Sequence, residues 1–480
     1  MVSRVQGIDG ALTVKPLLVA KFGGSVLKSG EDYARAAEIT EELQREHSVI
    51  LVVSAMKGVT DRLLRLARDF EASPSVEIPE LYQMHVEALR GAGVSGRLFG
   101  EAFSRIARLI DELTKIIWAL RVLGEVTPKA LDYVVSFGER LSAVIMEAVL
   151  RSRGIEAKAL TGWEAGIVTD DRFGEANPIM EETVPRVRSR LLPLTEKGIV
   201  PIVTGFIAAT RKGDITTLGR GGSDYTASLI ASILGATEVH FYTDVPGVMT
   251  ADPRLIPEAR TIPRLCVIEA LELSRVGGKK FHPRTFEPLL YSKIRARILD
   301  AKDPHGPHTI VEPECIDTLK AVAVMRGLAV VRLEGAVMAG RIGTAMMVTS
   351  VSKRAGVNIV AISQPVTETR IEIVVAEEDA ERLAKALSEE IRNQELDVNV
   401  MVETGLSAVT IVGYGLRNPS LRARVLSEAL SLEPEPELRS ITTGFHDASL
   451  TIVTNARDAV RIAERIHSRL LRTRGAGEAS

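Results

Sequence analysis

Lys21-Phe22-Gly23-Gly24-Ser25 sets a cation and a hydroxyl beside two glycines. The apolar run from Leu17 to Phe22 predicts a strand before the pair, and the periodicity of Gly30 to Glu46 predicts a helix after it. The glycines therefore fall at the carboxyl end of a strand, where open α/β sheets bind ligands. Glycine lets backbone N–H groups approach phosphate oxygens closely, and the next helix N-terminus adds a favourable field. A plain tight turn would use the same residues. No GxxxxGK[ST] run exists, so an ordinary P-loop is excluded as the phosphate site. Leu218-Gly219-Arg220-Gly221-Gly222-Ser223-Asp224 is the more specific signal, because three glycines, an arginine and an acid precede the helical stretch Thr226 to Leu234. Arg220 can grip a carboxylate with two N–H groups, Ser223 can donate, and Asp224 can orient cationic groups or metal. The bland alternative is a glycine loop with an N-capping Asp224.

Two further stretches add charge. Thr243-Asp244 opens a loop that runs through Met249 to Asp252-Pro253-Arg254, and Gly277-Gly278 is followed by Lys279, Lys280, His282 and Arg284. With Lys21 and Arg220 they assemble positive charge in a chain whose formal net charge is -2, as a polyphosphate ligand requires. The same net charge, with 45% hydrophobic and 25% charged residues, lacks the basic excess of a nucleic-acid binder.

The elements that must position these residues follow from periodicity. At 480 residues the chain predicts two to four domains. Strands at Ser48 to Ser54, Ile199 to Phe206 and Val239 to Thr243 repeat the strand, glycine turn and helix of the first unit, which predicts an α/β domain with a largely parallel sheet. That domain is placed at 16–312 after an N-terminal extension at 1–15, with a helical insertion at 71–127. Beyond Pro128, Ala130, Val134, Phe137, Leu141 and Ile145 form the apolar face of a helix that also carries Glu139. From Leu319 two stretches read as β-α-β-β-α, at 319–400 and 401–473, the order of a ferredoxin-like module, with a tail at 474–480. Two copies suggest a duplicated small-ligand sensor. Cys266 and Cys315 show no zinc or redox spacing and read as packing residues of a reducing compartment. His305 and His308 read as loop residues rather than a metal pair, and Glu433 to Glu437 as a solvated connection. No apolar run approaches a membrane span and Met1 to Gly10 lacks a secretory core, so a cytoplasmic location is expected.

KFGGSV at Lys21, VVSAMKGVTDRL at Val52, SFGERLSA at Ser136, LGRGGSDYTA at Leu218, YTDVPGVMTADPR at Tyr242 and GGKKFHPRT at Gly277 occur in one order. In these motifs, which cover nearly its whole length, the chain resembles the aspartate kinases of the amino-acid-kinase family. The resemblance implies a three-layer α/β/α sandwich with a mostly parallel sheet, followed by two ferredoxin-like βαββαβ modules of the ACT type. It implies that Lys21 and Asp224 are catalytic, Lys21 stabilising the transferring phosphoryl group and Asp224 organising it and the metal. Ser25, Thr60, Glu139, Arg220, Gly221, Gly222 and Ser223 would hold L-aspartate, with Glu139 pairing its α-ammonium group and Arg220 facing a carboxylate. Lys21, Gly23, Gly24, Ser25, Thr243, Asp244, Met249, Arg254, Lys279 and Lys280 would contact ATP, whose phosphates carry Mg²⁺; no metal ligand set is assigned to the protein. Met249 stands where many relatives have an aromatic, and GGKKF replaces the commoner GAKVL.

Repulsion between an aspartate carboxylate and the γ-phosphate must be neutralised, so the expected work of the protein is positioning and charge. The expected product is 4-phospho-L-aspartate, with no general base, because an ionised carboxylate is already a nucleophile. In the modules, Asn358, Ile359, Ile362 and Gln364 resemble the strand that binds threonine in threonine-sensitive relatives, so a threonine or lysine effector is expected. Gly413 to Leu416 keeps the glycine turn of the second copy, but Arg417 to Ser420 departs from the usual continuation. A homodimer or homotetramer through the modules is expected, and modules that only build a dimer remain an alternative. So do a kinase for glutamate, acetylglutamate or a nucleoside monophosphate, and a silent amino-acid sensor; retention of Lys21, Glu139, Arg220 and Asp224 speaks against the last.

Overall fold

Leu18, Val19, Ala20 and Phe22 are all fully buried, so strand β1 (Leu17–Phe22) is covered on both faces and reads as a continuous apolar run rather than an alternating one. The computed structural model describes residues 15–69, 73–276 and 281–471. They form two compact units, the first made of residues up to Gly247 together with Arg284–Pro313, the second of Val248–Pro283 and the chain from Glu314 on.

In the first unit β1 is followed by α1 (Gly30–Glu46), β2 (Ser48–Val53), α2 (Val59–Arg68), α3 (Pro74–Gly91), α4 (Gly96–Leu123) and α5 (Pro128–Ser152). Then come β3 (Ala157–Leu160), β4 (Val168–Thr169), α6 (Met180–Glu196), β5 (Val200–Thr204), β6 (Ile207–Thr210), β7 (Ile215–Thr217), α7 (Gly222–Leu234) and β8 (Glu238–Thr243). After the 248–283 segment, which bears β9 (Arg264–Cys266) and α8 (Val267–Val276), the chain returns as β10 (Arg295–Asp300) and β11 (Thr309–Glu312). The main strands of the unit lie in the order β3-β5-β2-β1-β8-β10-β11, parallel except for the antiparallel pair β10 and β11. Chain order reverses between β1 and β8, which opens a crevice at their carboxyl ends.

Helix α5 starts at Thr127, whose side chain accepts from Ala130 N, with Pro128 at the first helical position. It is buried from Val134 almost to its end and sits in the main core with β1, β2, α1 and the insertion helices α3 and α4. Those two helices fill the predicted 71–127 insertion, and the motif-bearing strands fall within a residue or two of the predicted bounds, whereas α7 starts at Gly222, four residues before the predicted Thr226, so that Ser223 and Asp224 lie in its first turn.

The second unit holds one six-stranded antiparallel sheet, ordered β13-β14-β12-β15-β17-β16. Its elements are β12 (Ala321–Glu334), α9 (Thr344–Ala355), β13 (Ala361–Ser363), β14 (Arg370–Ala376), α10 (Glu377–Asn393) and β15 (Asn399–Val412). They continue as α11 (Pro419–Leu430), β16 (Leu438–Thr443), β17 (Ser449–Asn455) and α12 (Ala456–Ile466). Both β-α-β-β-α copies are present, but they interlock. The long strands β12 and β15 pair along their whole length, past an irregularity at Gly327. Each therefore serves both modules, and the second copy is completed by Ala321–Arg326, a stretch that precedes the first. The expected boundary between residues 400 and 401 falls inside β15.

The 248–283 segment, which lies within the expected 16–312 domain, groups by contact with the second unit: Ala251 and Ile256 are buried with Val322, Ile411, Ile452 and Ile462, and Val322 N donates to Thr250 O at 2.9 Å. One expectation is corrected here: Cys266 and Cys315, expected as packing residues with no pairing, form a disulfide with Cα atoms 4.9 Å apart. The same packing explains it, since it brings β9 beside the chain that enters β12. The N-terminal extension up to Val14, the 474–480 tail and Lys279 and Lys280 lie outside the described residues.

Candidate functional site

Lys21 is the penultimate residue of β1, at the reversal point, and its Nζ lies 2.5 Å from Asp224 Oδ1, both side chains about one-tenth exposed. Asp224 is the third residue of α7, so its carboxylate also meets the positive end of that helix. The turn that delivers it needs glycine twice: Gly219 and Gly221 have φ of 75° and 72°, in the left-handed region. The glycines of the first motif act through space instead. A Cβ on Gly23 would sit 2.9 Å from Lys21 Nζ, and one on Gly24 2.9 Å from Ala55 O, so the loops after β1 and β2 can meet only as glycine and leave the lysine head room. Ser25 is half-buried in the turn Gly24–Val26, and Thr60 is half-buried as the second residue of α2.

Glu139 reaches this floor from α5. A Cβ on Gly138 would lie 2.7 Å from Ala55 Cβ, so the helix presses directly on the β2–α2 loop and Glu139 Oε1 accepts from Ala55 N at 3.2 Å. Its Oε2 is buried with no hydrogen-bond partner. Burial pushes the Glu139 carboxyl up to about 8, against the smaller lowering by the Ala55 amide. An acceptor oxygen so placed suits a bound cation.

Ser223 is buried, and a Cβ on Gly205 would fall 2.6 Å from Ser223 Cβ, so the loop after β5 nests against the start of α7. Phe206, next in that loop, holds φ at 68°, a rare conformation for an aromatic, and packs on Gly222. Arg220 is exposed and makes no ion pair among the described residues. At the end of β8, Thr243 Oγ1 accepts from Val245 N, and Asp244 is exposed. The structure thus brings Lys21, Gly23, Gly24 and Ser25 together with Glu139, Asp224 and the loop ends after β2, β5 and β8. Met249 and Arg254 belong to the second unit, where Met249 Sδ accepts from Thr261 and Arg254 pairs with Asp252. Asn358 and Gln364 flank the edge strand β13 and, like Ile362 within it, are exposed; Ile359 is half-buried.

Sequence reasoning missed Asp132 and named Arg284 only as added charge, yet both hold the glycine loop. Asp132, buried at the start of α5, accepts from Thr217 N and Oγ1 and from Gly174 N. Arg284 donates to Leu218 O at 2.7 Å and to Asn177 Oδ1, and lies 4.6 Å from the centre of the Tyr225 ring. Thr217 and Leu218 immediately precede Gly219, so the loop is tied at its root from two sides. The one available signal for Asp132 was an acid on the helix that bears Glu139.

Residues 16–300 match the amino acid kinase family, and residues 331–391 an ACT domain. Aspartokinase 1, chloroplastic, of Arabidopsis thaliana is 30% identical over 469 residues, covering 94% of this chain and 79% of that protein. Lysine-sensitive aspartokinase 3 of Escherichia coli is 29% identical over 462 residues, covering 95% and 99%. The chain spans 56% of the bifunctional aspartokinase/homoserine dehydrogenase of Haemophilus influenzae, at 29% identity over 465 residues, 94% of this chain. Among solved structures, Escherichia coli aspartokinase III in complex with aspartate and ADP superposes with a TM-score of 0.78 at 28% identity, over 95% of this chain and 100% of that one. With a family match over more than half its length and relatives of one kind along nearly all of it, the chain belongs to the amino acid kinase family and, within it, to the aspartokinases.

Proposed function

We propose that this chain transfers the γ-phosphoryl group of ATP to the side-chain carboxylate of L-aspartate, giving ADP and 4-phospho-L-aspartate, the entry to lysine, threonine and methionine synthesis. The observation that carries the reading is the buried Lys21–Asp224 pair at the β1/β8 crevice, beside a glutamate oxygen that lacks a partner. A carboxylate oxygen of aspartate attacks the γ-phosphorus, the bond to the ADP oxygen breaks, and no proton needs to move. Lys21 meets the charge spread over the equatorial phosphoryl oxygens, held in place by Asp224. The Gly23-Gly24 loop admits the phosphates, with Ser25, Thr243 and Asp244 at its sides. Met249, Arg254, Lys279 and Lys280 are assigned to the nucleotide by resemblance. Asp224 is the acid suited to lie beside the Mg²⁺ that ATP would carry, an ion that would shield the phosphate charge.

Glu139 Oε2 receives the α-ammonium group of aspartate, Thr60 and Ser223 donate to its carboxylates, and Arg220 supplies the opposing cation from the Gly221-Gly222 turn. The first ACT module takes a lysine or threonine effector near Asn358, Ile359, Ile362 and Gln364, and exposed apolar residues Val337, Ile342, Met346 and Val366 around it pair two chains. An Escherichia coli aspartokinase III structure holds lysine and aspartate, at 28% identity and a TM-score of 0.77, which supports the lysine arm. Release of ADP from MgATP is the assay, with aspartate, glutamate or no acceptor, and with lysine or threonine added. Turnover that needs aspartate and falls with one effector supports the proposal; turnover with glutamate alone refutes it.

A further inference from the structure

The two interlocked modules differ at one backbone amide. In the first, the strand Leu328–Glu334 ends at Gly335 and enters a 3-10 turn at Ala336–Met338; in the second, β15 ends before Gly413 and enters the turn Tyr414–Arg417. Ala336 and Tyr414 therefore occupy equivalent positions. Ala336 is exposed, and its amide has no hydrogen-bond partner among the described residues. Tyr414 N instead donates to Glu269 Oε1 at 2.9 Å.

Glu269 lies on α8, in the 248–283 segment, and is fully buried. Its other oxygen accepts from Cys266 N at 2.9 Å, so both carboxylate oxygens have backbone amide donors. Cys266 is in turn bonded to Cys315, which fixes the start of α8 beside the chain that enters β12. One turn along the same helix face, Glu272 Oε2 accepts from Ser449 Oγ at 2.5 Å. A Cβ on Gly444 would lie 2.3 Å from that oxygen, and a Cβ on Gly413 2.3 Å from Thr318 O, so the groove beside the turn is filled by this chain's own atoms. Two buried carboxylates one turn apart on one helix, each accepting a hydrogen bond from the second module, are an expensive arrangement for packing alone.

We infer that Glu269 is a tethered carboxylate ligand of the second module: α8 occupies the glycine turn that a free amino acid would use, making this module a dock for the 248–283 segment. Because α8 and the second module belong to the same compact unit, this ligand is tethered and cannot diffuse away. The inference rests on the ACT reading of the second module and not on the identity of the phosphoryl acceptor.

Acetate supplies the missing group in a Glu269→Ala variant of the full chain. Loss of two charge-assisted hydrogen bonds is expected to lower its thermal midpoint by about 5 °C, and acetate, but not chloride at equal ionic strength, is expected to restore most of that shift while leaving the unaltered chain unmoved. Equal response of both proteins to acetate, or no loss in the variant, overturns the inference. A second measurement needs no variant: calorimetric titration of the intact protein with lysine and with threonine is expected to saturate at no more than one molecule per chain, and two would overturn it. Kinase activity followed alongside separates the claims, since acetate rescue in a chain that does not phosphorylate aspartate would leave the dock standing and remove the proposed reaction.

Discussion

Replacing Glu139 by Gln keeps the shape of the side chain and its acceptor for Ala55 N but removes a carboxylate that burial pushes from 4.5 up to about 8. A shift of that size corresponds to about 5 kcal/mol against the ionised form in the empty site. Because the folded state holds the proton more tightly than the unfolded chain, Glu139 contributes no penalty below pH 4.5, a growing one as pH rises, and the full one above pH 8. Glu139→Gln should therefore be more stable than the unaltered chain at pH 9, by up to about 5 kcal/mol, and equal to it near pH 4. Function should move the opposite way. An α-ammonium group beside Oε2 favours the carboxylate, so binding of aspartate releases a proton below pH 8 and its KM falls about tenfold between pH 6 and pH 7 and flattens only above about pH 8. The Gln variant, without the opposing charge, should show an aspartate KM raised about a hundredfold and nearly flat over that range. Calorimetric melting at pH 4 and pH 9, with steady-state kinetics on both proteins, makes the comparison. A variant that is less stable at pH 9, or an aspartate KM of the unaltered chain that ignores pH between 6 and 7, refutes the reasoning.

Two further outcomes follow from the geometry. Lys21→Ala removes the cation from the Asp224 pair and should lower kcat by about a thousandfold, with the aspartate KM changed much less, in steady-state assays of ADP release. The Cys266–Cys315 bridge closes a loop of 49 residues, so reduction, or the double Ser variant, should lower the unfolding free energy by about 4 kcal/mol, read by denaturant melts with and without reductant; two free thiols in the denatured, unreduced protein would remove the bridge altogether.

What was legible depended on how local the cause was. β1, β2, β5 and β8 are covered on both faces, so each shows as an apolar run, and the glycines and charges that follow mark its functional end. Helix α5 declared itself through Val134, Phe137 and Leu141, yet the role of Gly138 requires knowing that Ala55 lies against it. The unpartnered oxygen of Glu139 is likewise invisible until the helix is placed. The sharing of β12 and β15 by two modules could not be read from period-2 alternation, which says that a strand exists but not what it pairs with. Gly327 and Gly405, both with φ of 72°, interrupt the alternation where the two strands pass from one module to the other, and so made each long strand look like a short one. Cys266 and Cys315 offered no spacing rule, because the packing of a 36-residue excursion, Val248–Pro283, brings them together.

The most direct test of the account traps the product. With MgATP, aspartate and hydroxylamine, the account predicts aspartyl hydroxamate formed in step with ADP, absent when aspartate is omitted and lost in Lys21→Ala. ADP release without hydroxamate, or equal hydroxamate from glutamate, would contradict it.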